Sequence, residues 1–346
     1  MKKDKKKKAI TQQNLEESRE EILAKGKKFR YPFQYSKHRL VIITILISIV
    51  AVVAFGFLCW FQLYQAQNTS DVMYRFAKAF NLPIAKADNV SIRYSDYLMF
   101  YRSSIKSIER QQGALDDSED SRLLDSYYRR QALNSAEEED YALAKLNEMG
   151  KPVTDDEIDA VVEEHKTIDG EVRSDQAFEG IIRDNFGLNM TDYGRMIKLS
   201  LARKNYAAEI DERAKKMVAE ISEELKTNKD FAKIAEKYKN NDIFSYETLD
   251  EMVDVTNLDS GRAAAAMAIK EVGGVSEPFV SKNGDGYYFV KLTEREGSRV
   301  RYESIWVRFT EFDNRMQKLR EEGKIDEYIK LEGGESSSEE KKESAK

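Results

Sequence analysis

The stretch GKPVTDDEI, residues 150–158, contains the end of one predicted helix and the start of the next. Gly150 and Pro152 are typical of a helix C-terminus, because glycine accepts a left-handed backbone and proline cannot continue the hydrogen-bond ladder. Thr154 followed by Glu157 has the pattern of a capping box, in which each side chain bonds the backbone N–H of the other residue. The sequence therefore predicts a new helix that begins after Thr154.

Apolar residues at three- and four-residue spacing extend on both sides of this connection. They predict a long helix over 122–149 and another over 175–186, which Gly187 is expected to end. Thr191 has the position of an N-cap for a further helix that continues towards residue 225. This part of the chain is therefore expected to be a helical module.

Two regions flank the predicted module. On its N-terminal side, the alternation of Val90, Ile92 and Tyr94 predicts a short strand, and Ser95 is expected to cap the helix that follows. On its C-terminal side, shorter helices alternate with strand-like runs up to residue 296. The predicted fold class is mostly α with a small α+β domain.

An apolar run, LVIITILISIVAVVAFGFLCWF at Leu40–Phe61, has 22 residues and no charge. As a helix it is about 33 Å long, enough to cross a lipid bilayer core of roughly 30 Å. Basic residues precede it, ending at Arg39, and Trp60 and Tyr64 stand at its other end. This arrangement predicts a single-pass cell membrane protein with a cytoplasmic N-terminus and an extracytoplasmic body. A cleaved signal peptide and a lipoprotein modified at Cys59 are the alternatives.

The charge distribution agrees with this orientation. Residues 1–39 carry 13 basic and 5 acidic residues, whereas the rest of the chain carries 43 basic and 57 acidic residues. A basic arm before an acidic body is not the footprint of a nucleic-acid-binding protein, so no nucleic acid partner is expected. With one cysteine and two histidines, His38 and His165, the chain is expected to use no metal, no cofactor and no histidine-based triad. His165 is expected to be a solvated surface residue.

The predicted helical module resembles the N-terminal chaperone domain of SurA- and PrsA-type extracytoplasmic foldases. Two motifs carry the resemblance, VTDDEI at 153–158 and GLNMTDY at 187–193, and it spans about residues 88–212. It implies a bacterial folding factor that binds unfolded or newly exported polypeptides. A generic helical bundle is the alternative.

The region 213–296 resembles a parvulin-type (PpiC) peptidyl-prolyl cis-trans isomerase domain. Three pieces carry this resemblance: DFAKIAEKY at 230–238, GGVSEPFV at 273–280 and GYYFVKL at 286–292. The family's opening strand is missing before the first helix. The alternating segment 300–309 is expected to complete the sheet from the C-terminal side. The alternative is that it begins a second, truncated repeat.

The resemblance implies candidate site residues, but both family histidines are replaced. Tyr288 and Ser304 stand at the histidine positions, and Asp242 is placed at the acidic position. The candidates for the apolar substrate-binding floor are Phe244, Met267 and Phe279. Tyr288 and Phe244 have an alternative role as ordinary core aromatics. Without the histidine pair, isomerase activity is expected to be weak or absent.

Two functions follow from these interpretations. The first is a membrane-tethered extracytoplasmic chaperone of the peptidyl-prolyl isomerase family. The second is a catalytically silent envelope scaffold that uses the same fold. The expected organisation is a basic cytoplasmic segment at 1–39, a transmembrane helix at 40–64, a stalk at 65–88, the helical domain at 89–212, the parvulin-like domain at 213–312, a helical segment at 313–332 and a disordered tail at 333–346.

Overall fold

A computed structural model describes residues 11–30, 32–116, 118–168 and 170–331. The basic run at 2–8 and the tail predicted at 333–346 lie outside the described residues. The chain divides into two compact units, Met1–Ala66 and Gln67–Lys346. Most of the described chain is helical and a small β-sheet region lies in its C-terminal part, which confirms the predicted fold class.

The first unit contains two helices, α1 (Gln12–Arg30) and α2 (Pro32–Trp60), and a π-helical turn, Phe61–Gln65, directly after α2. Within the described part of the chain, Arg39–Gln65 is the one helical segment long and apolar enough to cross a membrane. At its end, the rings of Trp60 and Tyr64 lie 6.2 Å apart.

The second unit begins with a helical module that contains three short strands and a small hairpin. Its elements are α3 (Asp71–Phe80), β1 (Pro83–Ala87), β2 (Val90–Arg93), α4 (Tyr94–Gln112), α5 (Glu119–Glu148), α6 (Asp155–Lys166), β3 (Thr167–Ile168), β4 (Glu171–Val172), α7 (Asp175–Phe186) and α8 (Met190–Ile210). The third strand of the module's sheet comes from the far end of the chain.

Local signals at two helix ends are confirmed. The hydroxyl oxygen of Thr154 accepts a hydrogen bond from the Glu157 N–H, and the Glu157 carboxylate accepts one from the Thr154 N–H at 2.8 Å. Gly187 ends α7 with a left-handed φ of 67°. The connection between α5 and α6 at residues 150–158 therefore contains the capping box that its sequence predicts.

Two predicted caps are wrong. Asn189, not Thr191, caps α8, because its side-chain oxygen accepts the Asp192 N–H at 2.9 Å and the helix begins two residues earlier than predicted. Ser95 lies inside the first turn of α4, which begins at Tyr94. Asn and Thr are both good cap formers, so residue type alone does not decide between Asn189 and Thr191.

The segment expected to be a stalk, 65–88, contains α3 and β1, whose inner side chains are buried in the second unit. Tyr74 and Ala77 of α3 face this core, as does Ile84 of β1. Pro83 begins β1, because extended backbone suits its fixed φ.

After α8 the chain forms α9 (Glu212–Leu225) and α10 (Phe231–Tyr238), and then a sheet in the order β5-β9-β8-β7. The remaining bounds are β5 (Phe244–Thr248), β6 (Val253–Asp254), α11 (Arg262–Ala268), β7 (Phe279–Val280), β8 (Gly286–Glu296) and β9 (Arg299–Arg308). The segment 300–309 thus lies within the sheet, where β9 pairs with β8 from Gly286↔Arg308 to Glu296↔Arg299.

Helices cover both faces of this sheet. Phe231 and Ile234 of α10 lie in the core on one face, together with Ile221 of α9. On the other face α11 packs through Ala263 and Ala266 against a cluster of strand residues: Val290, Leu292, Val300 and Tyr302. The alternation of β8 and β9 therefore supplies two separate sets of side chains, one for each face.

The C-terminal segment returns to the helical module. α12 (Glu311–Glu321) is followed by a strand, β10 (Ile325–Glu327), which pairs with β1 in the order β10-β1-β2. The segment predicted as helical at 313–332 thus contains a helix and a short strand that was not predicted. Three residues are too few for alternation to be detected, and the partner strand lies near the start of the second unit.

Charged side chains of α5 join the module together. Arg195 of α8 donates to both Asp96 and Asp140, at 2.6 and 2.8 Å, and both carboxylates are buried. Arg130 of α5 reaches Glu327 of β10 at 2.6 Å. Removing one member of such a buried group would leave an uncompensated charge, so these contacts specify how the helices pack.

Candidate functional site

Tyr288 and Ser304 lie on neighbouring strands of the C-terminal sheet and on the same face. Tyr288 pairs with Trp306, and Val290 pairs with Ser304, so the two candidates are diagonal neighbours. Both are almost fully buried, with exposed fractions of 5% and 2%. The structure therefore brings these two predicted site residues together.

Arg262, the first residue of α11, connects them. Its Nη1 atom lies 3.4 Å from the Ser304 hydroxyl and 2.6 Å from a carboxylate oxygen of Glu247. Its guanidinium carbon is 5.1 Å from the centre of the Tyr288 ring, a cation–π distance. No spacing or motif in the sequence indicates Arg262, since its partners lie on three strands that only the fold brings together.

Tyr302 and Asp259 fix the start of α11, where Arg262 lies. The hydroxyl of Tyr302 donates to the Asp259 carboxylate at 2.6 Å, and the same carboxylate accepts the backbone N–H of Ala263 at 3.0 Å. The Asp259 carbonyl accepts a hydrogen bond from the Arg262 Nε at 2.9 Å. The start of α11 is thereby attached to β9.

An aromatic row crosses three strands on this face: Phe279 of β7, Tyr288 of β8 and Trp306 of β9. The Tyr288 ring lies 5.9 Å from the Trp306 ring, nearly parallel to it, and 6.2 Å from the Phe279 ring. Phe279 and Trp306 are half-buried, whereas Tyr288 is buried between them. The accessible apolar surface of the row therefore belongs to its two ends.

The electrostatics make Tyr288 a hydrogen-bonding group and not a base. Burial raises the pKa of Tyr288 to about 12, so the phenol stays protonated at neutral pH. Burial works against the Arg262 cation, but the hydrogen bond to Glu247 and the adjacent tyrosines raise the pKa of Arg262 above its ordinary value. We call Tyr288, Ser304, Arg262 and Glu247 the site cluster. In it the Arg262 cation, paired with Glu247, lies beside the hydroxyl-bearing side chains of Tyr288 and Ser304.

Two of the predicted floor residues lie with this cluster and one does not. Met267 and Phe279 pack against the core beneath α11. Phe244 pairs with Val307, whose side chain is on the opposite face from Tyr288, and its ring lies 5.5 Å from the ring of Tyr238 in α10. Phe244 therefore lies apart from Met267 and Phe279, and its part in a substrate-binding floor stays a prediction.

Asp242 is also separated from the cluster. Its exposed carboxylate forms an ion pair with Arg213 at the start of α9, with a hydrogen bond of 3.0 Å from Nη1. That hydrogen bond lowers the pKa of Asp242. The carboxylate on the cluster's face is Glu247 instead.

His165 lies in the helical module. It is exposed, as expected, but its Nδ1 atom is 2.7 Å from the hydroxyl of Tyr193, and partial burial lowers its pKa. Within the described ranges, no three His, Cys, Asp or Glu side chains are grouped closely enough to hold a metal ion.

A family model described as a SurA-like N-terminal domain matches residues 33–207, about half of the chain. The match includes the capping box at Thr154 and the motif that begins at Gly187. No curated protein matches the chain. The likeness of the C-terminal sheet to parvulin-type domains rests on the three sequence pieces described above. By the extent of this match, the chain belongs to the family of proteins with a SurA-like N-terminal domain.

Proposed function

We propose that this protein is a membrane-tethered extracytoplasmic folding factor that binds unfolded, newly exported polypeptides. The observation that carries the proposal is the match of residues 33–207 to the SurA-like N-terminal domain, since this chaperone family implies polypeptide substrates. The helical module, which holds most of this match, is continuous with the sheet domain through α8, α9 and the returning segment α12–β10.

The tether is Arg39–Gln65. Between Leu40 and Phe61 this segment carries no charged residue, and its most apolar stretch of 18 residues is not buried within the described structure. A basic flank precedes it and the Trp60–Tyr64 pair ends it, a pattern that favours a cytoplasmic N-terminus. The second unit then lies on the outer side, where exported chains emerge unfolded.

The aromatic row is the proposed client-binding surface of the sheet domain. The half-buried rings of Phe279 and Trp306 offer flat apolar area, and Arg262 and Glu247 place opposite charges beside them. Rigid aromatic rings bind extended peptides at a low cost in side-chain entropy. Such a surface suits many apolar segments and requires no particular sequence.

Isomerase activity is proposed to be weak or absent. Catalysis would require polar groups directed at a twisted amide, whose rotation barrier is about 18–20 kcal/mol. Tyr288 is enclosed by its neighbouring rings, and Ser304 is buried against Arg262. Both residues that stand at the family's histidine positions are therefore buried within the protein.

Two assays on the full chain in phospholipid vesicles test the proposal. The first measures suppression of aggregation of a chemically unfolded protein, and the second measures prolyl isomerisation of a short peptide. We expect suppression with isomerisation no faster than the uncatalysed reaction. Fast isomerisation would make the protein an active isomerase. The absence of both activities would overturn the folding-factor proposal and favour the envelope scaffold.

A further inference from the structure

Strand β5 forms one edge of the C-terminal sheet. In the order β5-β9-β8-β7 it has β9 on one side, and within the described part of the chain no strand pairs with its other side. The short strand β6 also pairs with β9, beyond the end of β5. The register of β5 on β9 runs from Phe244↔Val307 to Thr248↔Glu303 without a shift. Its outer side is therefore a regular row of backbone groups.

The pairing shows which backbone groups of β5 point outwards. Just past its end, the N–H of Leu249 donates to the Tyr302 carbonyl at 3.1 Å. Because hydrogen-bonding positions alternate along an antiparallel pair, the N–H and carbonyl groups of Tyr246 and Thr248 lie on the outer side. Among the described residues, none forms a hydrogen bond with these four groups. They are the groups that an added strand would use.

The outer side of β5 lacks the usual protection of an edge strand. Natural edges commonly carry lysine, proline or a bulge, because unpaired backbone groups invite pairing with another chain. The sequence of β5, FSYET, has no lysine and no proline, and its five residues are a usual strand length. Its one charged residue, Glu247, is paired with Arg262 at 2.6 Å on the face covered by α11. The edge is thus accessible to an extended chain.

Half-buried rings lie beside this edge on both faces of the sheet. On the α11 face Ser245 pairs with Trp306, so only a small side chain separates the end of the aromatic row from the edge. On the other face lie Phe244 and Tyr246, both half-buried. Because side chains alternate between the two faces, an added strand would meet aromatic rings with both of its sets of side chains. The edge therefore suits an uninterrupted apolar run, which is typical of strands that are buried on both faces.

The charges around β5 differ between its two ends. Asp250 and Glu251 follow its C-terminal end, are exposed, and form no ion pair within the described ranges. At its other end the exposed Arg308 donates its N–H to the Ile243 carbonyl at 2.8 Å. Natural sequences commonly place charged residues next to apolar strand segments. A basic residue beside the apolar run would be attracted to the acidic end of β5.

We infer that β5 binds an extended apolar segment of an unfolded polypeptide, flanked by a basic residue, as an additional strand of the C-terminal sheet. This inference rests on the proposed function and specifies how the sheet domain binds its clients. Backbone hydrogen bonds supply affinity for any sequence, and the rings on the two faces select apolar side chains. Trp306 is the ring of the aromatic row that lies nearest to β5, so the two surfaces bind one segment together.

Two peptides distinguish backbone pairing from side-chain contact. Both carry a fluorescent label and a run of five apolar residues, the length of β5, followed by two lysines. The first is N-methylated at every second residue of the run, so one of its two backbone edges can still pair, and the second is N-methylated at every residue of the run. Fluorescence anisotropy measures their binding to the full chain in lipid nanodiscs, with empty nanodiscs as the blank. We expect the second peptide to bind at least about tenfold more weakly, because it has lost its N–H donors.

Variants of the protein test the same edge. Thr248→Pro removes one outward N–H and leaves the hydrogen bonds to β9 in place, a position where edge strands tolerate proline. We expect it to weaken binding of the first peptide about tenfold without changing the thermal unfolding midpoint. Asp250→Lys gives a second readout that does not alter the strand: binding of the same peptide should weaken about threefold. The matched control is Glu179→Lys on the exposed side of α7, which should leave the affinity unchanged.

The outcomes separate this inference from the proposed function. Equal affinities for the two peptides would overturn the inference while polypeptide binding still stands, and so would full affinity in both Thr248→Pro and Asp250→Lys. Loss of peptide binding together with loss of aggregation suppression in the unchanged chain would overturn the proposed function as well. If Thr248→Pro converted a dimer of the chain into monomers without weakening peptide binding, the edge would belong to a second copy and the inference would be wrong.

Discussion

Arg320 of α12 donates a hydrogen bond from Nη2 to the Glu137 carboxylate of α5 at 3.2 Å. Glu137 has no exposed surface, whereas the Arg320 side chain is partly exposed. This pair joins the end of the chain to the centre of the helical module, beside the strand pairing of β10 with β1. The C-terminal segment α12–β10 is thus attached to the helical module by the Arg320–Glu137 ion pair and by the pairing of β10 with β1.

Arg320→Ala should destabilise the protein by roughly 1–3 kcal/mol, because it leaves a buried carboxylate without its main partner. Urea unfolding of the full chain, followed by circular dichroism, measures the change. The matched control is Lys318→Ala on the same helix, whose side chain is mostly exposed and lies 3.8 Å from Glu322. Such a surface pair contributes about 0–1 kcal/mol. Equal losses for both variants would contradict a special role for the buried pair.

Glu137 should also make stability depend on pH. Burial, with repulsion from Glu327, raises the pKa of Glu137 to about 7 from an ordinary value of 4.5. Between these values the folded state binds more protons than the unfolded state, so the stabilisation is complete below about pH 4.5 and is lost as pH rises through 7. Glu137→Gln should therefore flatten the fall in unfolding free energy between pH 5 and 8, by an amount on the order of 2–3 kcal/mol. Glu179→Gln, on the exposed side of α7, should leave the slope unchanged.

Local rules predicted the helices of this chain well. The capping box at Thr154 and the glycine that ends α7 depend on residues within one turn, and both are confirmed. The apolar run at Leu40–Phe61 likewise predicts a helix from its own residues, and it lies within the helical segment Arg39–Gln65. Where two cap formers stand close together, as Asn189 and Thr191 do, the sequence leaves the helix start uncertain by two residues.

Long-range features of the candidate site could not be predicted in the same way. Arg262 contacts Ser304 and Glu247 only after β5 and β9 have paired within the sheet. No sequence motif marks either Arg262 or Glu247 as a site residue. Phe244 lies on the opposite face from Tyr288, and the sequence alone does not show how β5 pairs with β9 or which face each of its side chains takes. Strand β10 was missed because its partner lies far away along the chain.

Phe279→Ala should weaken binding of an unfolded polypeptide about tenfold, since it removes a half-exposed ring from the aromatic row. Tyr288→Phe is the matched variant: it keeps the ring and removes only a hydroxyl that is buried, so affinity should stay within about twofold. Fluorescence anisotropy with a labelled, permanently unfolded protein measures both. A tenfold loss for Tyr288→Phe alone would place the binding contact at the hydroxyl and not at the accessible rings.

Gly286→Ala should disrupt the aromatic row by displacing Trp306. A Cβ at this position would lie 2.3 Å from the Val307 carbonyl oxygen and 2.4 Å from the Trp306 Nε1, so the backbone of β9 and the indole would both have to move. Overpacking of this kind costs typically about 1–3 kcal/mol. The control, Gly180→Ala in α7, meets nothing closer than 3.9 Å and should stabilise its helix by roughly 0.5–1 kcal/mol. Thermal unfolding and polypeptide affinity should therefore fall together for Gly286→Ala and not for Gly180→Ala. If the Gly286→Ala protein were stable and bound polypeptide with normal affinity, the proposed role of Trp306 in binding clients would be contradicted.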